Sequence, residues 1–214
     1  MTSVLRWIER ALFATAAVLV IWCGARIIEL WYVNSLPVPP STAPGAAGSS
    51  RGAFSTHDAG PADLSTEARR SATVARGAWL ARLDAPGIGL SATVLEGADD
   101  TTLAVAAGHV EETAFPGDAG NTVIAGHRDT VFRPVRNLHV GDTLVLTTSE
   151  YVYRYHITGT RITDPADVDV LEPTTHRALT LVTCYPFTFI GRAPQRFIVR
   201  ADLDAKELRT AQVP

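Results

Sequence analysis

Cysteine is scarce in this chain of 214 residues: there are two, Cys23 and Cys184. Cys23 lies inside an apolar run near the N-terminus, and Cys184 sits far away in the C-terminal half. If the first is in a bilayer the two cannot meet, which excludes a disulfide framework. An exported domain then carries one unpaired thiol, a liability in an oxidising compartment unless it is used. That favours a reactive Cys184 over a small buried hydrophobe. A surplus of positive charge is also missing. The formal net charge of −3 argues against nucleic acid or anionic lipid as the main partner. There is no internal repeat, and no two histidines or cysteines have the spacing of a preformed metal site. No metal and no other cofactor is expected. Asp164, Asp167 and Asp169 share one loop, but loop aspartates are usually just solvated.

A full-length hydrophobic run is lacking too. Ala11 to Ala25 is apolar except for Thr15, and fifteen residues of helix span about 22 Å against a hydrocarbon core of roughly 30 Å. The flanks supply the missing length. Arg10 and Arg26 can snorkel, and Trp7, Trp31 and Tyr32 are placed for the two interfaces. The stretch has signal-peptide length, but bulky Glu29-Leu30-Trp31-Tyr32 follows in place of a small-x-small cleavage site. Residues 1–33 are therefore read as an uncleaved anchor. Arg6 and Arg10 put the N-terminus in the cytoplasm and the rest of the chain outside. Residues 34–75 are rich in Pro, Ala, Gly, Ser and Thr and read as a disordered tether. Within that tether, 64–76 has the N-cap pattern of a short helix.

From Trp79 the texture changes to short β-type runs separated by Gly, Pro and Asp. Strands are expected at 79–83, 92–95, 122–125, 143–148, 151–162, 178–183 and 196–201, with a short helix over 99–107. Seven or eight short strands with little helix predict a mainly β domain, a sandwich or closed barrel, over 76–205. Residues 206–214 are left as a tail.

Two segments each end an apolar strand on a reactive side chain. In Asn121-Thr-Val-Ile-Ala-Gly-His-Arg-Asp129, His127 emerges after a glycine that frees the backbone to turn. In Leu179-Thr-Leu-Val-Thr-Cys-Tyr-Pro-Phe187, alternation puts Cys184 on the face opposite Leu179 and Leu181, and Pro186 ends the ladder. A thiol attacks only as thiolate, so a cation or base must stand nearby. A histidine can protonate a leaving amine, and an arginine can hold an oxyanion.

Thr180-Leu-Val-Thr-Cys184 resembles the TLxTC signature of the sortases, which join surface proteins to cell-wall or pilus amines. Gln195-Arg196-Phe-Ile-Val-Arg-Ala201 is similar to the arginine strand that follows it in that family. Ala125-Gly-His-Arg-Asp-Thr130 resembles the histidine segment, and the stretch from Gly108-His109 to Phe115-Pro-Gly117 fits as well. The likeness runs from about Trp79 to Leu203, and Cys-Tyr-Pro-Phe is most like the class D group. It implies a closed seven- to eight-stranded sortase-type barrel with short helices behind a transmembrane helix. It also implies a single-pass enzyme with its catalytic domain outside the cell membrane. Cys184 would attack the carbonyl after threonine in a Leu-Pro-x-Thr-type sorting signal, giving a thioester that an amine resolves. His127 would act as general acid and then base, and Arg196 would hold the oxyanion. Thr183 would help bind the substrate backbone, and His109, the second histidine of the group's pattern, would lie near the site. The implied partners are sorting-signal-bearing surface proteins and an amine of the envelope or a pilus.

His57 falls in the tether, and His139, His156 and His176 read as exposed strand or loop residues. An L,D-transpeptidase is disfavoured because its Ser-His-Gly-Cys segment is absent, and a papain-like hydrolase lacks its Cys-Gly-Ser-Cys-Trp. The remaining alternatives are a tethered β-barrel binding module with a structural Cys184, and a related peptidase that mainly hydrolyses.

Overall fold

Apolar side chains at every second position force strands to close on one another. Leu83 in β1 (Trp79–Ala85), Leu144 and Leu146 in β5 (Thr143–Thr147), Tyr155 and Ile157 in β6 (Tyr151–Thr163) and Leu179 and Leu181 in β7 (Ala178–Tyr185) are all buried. Each fully buried side chain of this kind contributes about 1.5–3 kcal/mol, which makes the alternating faces decisive. With β2 (Leu90–Glu96), β3 (Ala107–His109), β4 (Asn121–Gly126) and β8 (Gln195–Leu208), they form a closed barrel in the order β1-β2-β3-β4-β7-β8-β6-β5. All neighbours are antiparallel except β2–β3 and β4–β7. The chain is described in a computed structural model at residues 13, 15–22, 25, 28 and 74–209.

Seven of the eight strands stand where the pattern predicts them. The eighth, β3, is three residues long and too short to show an alternation. The predicted helix over 99–107 shrinks to α1 (Asp100–Leu103), capped by Asp99 through the amides of Thr101 and Thr102. At the far end β8 runs on to Leu208, with Lys206 and Leu208 paired to Tyr153 and Tyr151. Residues 206–208 therefore belong to the barrel rather than to a tail.

The chain divides into two units, residues 1–36 and 37–214. In the first, 13, 15–22, 25 and 28 are helical, and Val18, Leu19, Val20, Ile21 and Trp22 are exposed. Among the described residues no helix is long and apolar enough to cross a membrane, so the transmembrane helix is not seen there. Most of the expected anchor, including Cys23, and the tether to residue 73 with His57 lie outside the described residues. So does most of the helix expected at 64–76. Val74, Ala75 and Arg76, at its end, are not helical.

Candidate active site

The parallel pair β4–β7 and the antiparallel pair β7–β8 put three strand ends in one row. Gly126 pairs with Thr183, which places His127 and Cys184 one residue beyond on adjacent strands. On the other side Cys184 pairs directly with Arg196. Directly paired residues project from the same face with Cβ atoms about 5 Å apart, so thiol and guanidinium stem share one surface. Neighbouring strands are about 4.8 Å apart, so the row spans only a few ångströms on either side of Cys184.

Gly126 is what lets His127 leave the strand there. A Cβ at Gly126 would meet the Phe132 ring at 2.7 Å. Its role is close approach rather than the free turn expected from the sequence. Phe132 is fully buried, and its amide donates to His127 O at 3.0 Å, folding the chain back under the histidine.

One open cavity of about 450 Å³ collects His127, Cys184 and Arg196, together with Arg128, Asp129 and Arg192. Cys184 is a free, partly exposed thiol. Arg196 Nη1 donates to Gln195 O at 3.0 Å and weakly to Ala193 O at 3.4 Å. The cavity therefore holds three guanidinium groups and one carboxylate, a field that favours an anionic thiolate or oxyanion.

Two expected substrate contacts are elsewhere. Thr183 is buried on the opposite face of β7, and its hydroxyl donates to Gly126 O at 2.7 Å. It fixes the strand ends and does not face the cavity. His109 is completely buried, with Nδ1 2.8 Å from Glu96 Oε2 and Nε2 3.1 Å from Ala114 O. From β3 it pairs with Ile124 of β4, and because β3 runs antiparallel to β4 it is carried away from His127. It does not line the cavity. His139 is exposed, while His156 and His176 bond Asp204 and Asp202 on the barrel wall. Arg128 and Asp129 are cavity residues that the sequence gives no role, though they directly follow the histidine, and Arg192, a candidate arginine of poorly fixed position in the sequence, lines the same cavity.

The aspartates of the β6–β7 connection are engaged locally. Thr163 Oγ1 donates to Asp167, the Asp169 amide donates to Asp167 Oδ1, and the Ala166 amide to Asp164 Oδ1. Among the described residues no three His, Cys, Asp or Glu side chains are grouped to hold a metal ion.

Comparison with known proteins points to one family. The family model for the sortase domain matches residues 83–204. Sortase D of Bacillus subtilis is 37% identical over 118 residues, 55% of this chain and 60% of that protein. Sortase A of Listeria monocytogenes is 29% identical over 132 residues, 60% of this chain and 58% of that protein. The chain thus spans about three fifths of the length of these curated relatives. The solved Sortase D5 transpeptidase of Clostridium perfringens superposes with a TM-score of 0.57 at 33% identity, covering 66% of this chain and 89% of that one.

Proposed function

Because this chain belongs to the sortase family, we propose that it is a cysteine transpeptidase with Cys184 as nucleophile, His127 as acid and base, and Arg196 as oxyanion donor. The observation that carries the reading is the row of three strand ends, with Cys184 between His127 and Arg196 above one open cavity.

The substrate is a Leu-Pro-x-Thr-like sorting signal at the C-terminal end of a surface protein. Cys184, as thiolate, attacks the carbonyl carbon after threonine, and the carbonyl electrons move onto oxygen. Arg196, a planar fork with several donors, stabilises that oxyanion. Collapse breaks the C–N bond while protonated His127 gives its proton to the leaving amine. A thioester on Cys184 remains. An acceptor amine of the cell envelope or a pilus loses a proton to His127, attacks the thioester and expels the thiolate, forming a new amide. Every group then returns to its starting state. Arg196, paired with Cys184 on the neighbouring strand, supports the thiolate throughout.

Residues 1–33 serve in this reading as the membrane anchor, and 34–75 as the tether that holds the domain outside the cytoplasm. The test is to offer the chain a library of Leu-Pro-x-Thr-x peptides with assorted amines and to identify products by mass spectrometry. A peptide–amine conjugate cut after threonine is expected. Cut peptide without conjugate would mean a hydrolase, and neither product together with an unlabelled native thiol would mean a binding module.

A further inference from the structure

Two backbone carbonyls of the β7–β8 connection face a single guanidinium. Arg128 Nη2 lies 2.5 Å from Phe189 O and 3.0 Å from Gly191 O, and Arg128 directly follows His127. The other end of the connection is held by Arg196 through Ala193 O and Gln195 O. Between these two clamps Gly191, Arg192 and Ala193 form one wall of the cavity that holds Cys184.

Little else fixes that wall. Phe189 is 45% exposed and Ile190 96% exposed, so burial contributes almost nothing at the tip. The aromatic contacts of Tyr185 and Phe187 with Phe197 anchor only the first residues after β7. The Phe189 amide bonds locally to Pro186 O at 3.2 Å. Arg128 is also not an ordinary solvated surface arginine, because its Nη1 is buried without a partner. Its guanidinium is thus partly withdrawn from water, where charge-assisted bonds to carbonyls are stronger.

From this geometry we infer that Arg128 is a positioning residue for the reaction proposed above. By holding the carbonyls of Phe189 and Gly191 it sets the cavity wall against which peptide seats beside Cys184. The inference rests on that reading of the cavity, and it gives Arg128 no contact with the reacting atoms. Loss of the clamp therefore weakens substrate seating more than chemistry, raising KM more than it lowers kcat. Lysine, a point charge, cannot span both carbonyls as the fork does.

The experiment compares the full chain with Arg128→Ala, Arg128→Gln and Arg128→Lys in two readouts. One is the rate of tryptic nicking after Arg192, identified by fragment mass, which follows local opening of the connection. The other is the separate kcat and KM for peptide joining. Charge-assisted bonds, discounted for the exposure of this loop, correspond to about a tenfold change in opening. Nicking about tenfold faster in the Ala and Gln variants is expected, with lysine between them and the wild type. KM should rise about tenfold while kcat stays within about threefold. Unchanged nicking overturns the clamp whether or not any peptide is joined. Failure of the transpeptidase reading shows separately, as no product from the wild type. Faster nicking with unchanged kinetics overturns the functional role, and a loss confined to kcat overturns positioning in favour of direct participation. If Arg128→Ala unfolds the barrel, the Lys and Gln variants decide by the same criteria.

Discussion

Thr183 donates its hydroxyl to the Gly126 carbonyl across the parallel pair β4–β7, one row beneath Cys184 and His127. Thr183→Val keeps the shape and removes the donor, leaving a buried carbonyl short of one partner at a cost of about 1–3 kcal/mol. The urea midpoint should fall accordingly, and turnover should fall several-fold as His127 loosens against Cys184. Thr183→Ser should restore both. If valine changes neither, the backbone ladder alone fixes the strand ends.

Cys184→Ala should abolish cutting and joining together, because both products pass through one thioester, while the far-ultraviolet circular dichroism stays that of the barrel. Cys184→Ser should be nearly as inactive, since a hydroxyl is far harder to ionise and no side chain hydrogen bond holds it toward a base. A Cys184→Ala chain that still cuts peptide at a comparable rate would end the covalent mechanism.

His127→Ala should slow acylation by a factor of about a hundred or more, the scale of general acid–base assistance. His139→Ala and His176→Ala should change it little, because neither side chain lines the cavity. Single-turnover acylation, followed by mass, separates the three variants. Equal losses would show that the histidine effect is general destabilisation.

Much of this site was legible before the structure, and the reasons are local. Alternation in Leu179, Leu181 and Thr183 set the inner face of β7, so Cys184 had to point outward, as it does. The same alternation, read strictly, already placed Thr183 on the buried side, against its expected role in binding substrate. His109 was misplaced for a different reason. Whether a histidine stands near another depends on strand direction, and β3 is only three residues long. Its antiparallel pairing to β4 and its buried contact with Glu96 are tertiary facts that no periodicity carries. Arg128 was invisible as a clamp because its partners are backbone carbonyls more than sixty residues away.

Asp99 caps α1, and hydrogen bonds from the Thr102 and Thr101 amides hold its carboxyl below the ordinary range, against a smaller opposing effect of burial. A depressed carboxylate contributes stability that is fully present above the unfolded value, about 3.9, and lost as pH falls through the folded value. Asp99→Ala should therefore be less stable than wild type at neutral pH by an amount that stays constant down to about pH 5. The gap should close under stronger acid. Chemical denaturation at several pH values measures it, and a gap that does not narrow in acid would mean that the loss is packing rather than capping.

Arg192, Arg196 and Arg200 are the three arginines nearest after Cys184 in the sequence, and their places in the fold separate them. Arg196 pairs with Cys184 and projects from its face, within reach of an oxyanion formed on the thiol's substrate. Arg192 lines the same cavity from the β7–β8 connection. Arg200 pairs with Thr180, four residues along β8 and so about 13 Å away. It lines a separate cavity with Arg161 and Asp169, where burial and then the neighbouring Arg161 charge lower its pKa. Arg196→Ala should cost at least about a hundredfold in turnover, on the scale of losing one oxyanion donor. Arg196→Lys should recover only part, since an ammonium lacks the guanidinium fork. Arg192→Ala should act mainly on KM, through the field of the cavity, and should weaken further at low ionic strength relative to wild type. Arg200→Ala should leave turnover within about twofold, because it does not line the cavity that holds the thiol. Steady-state kinetics on the four variants decides the assignment: a crippled Arg192→Ala or Arg200→Ala beside an active Arg196→Ala would place the oxyanion on another part of the wall than the one Arg196 faces.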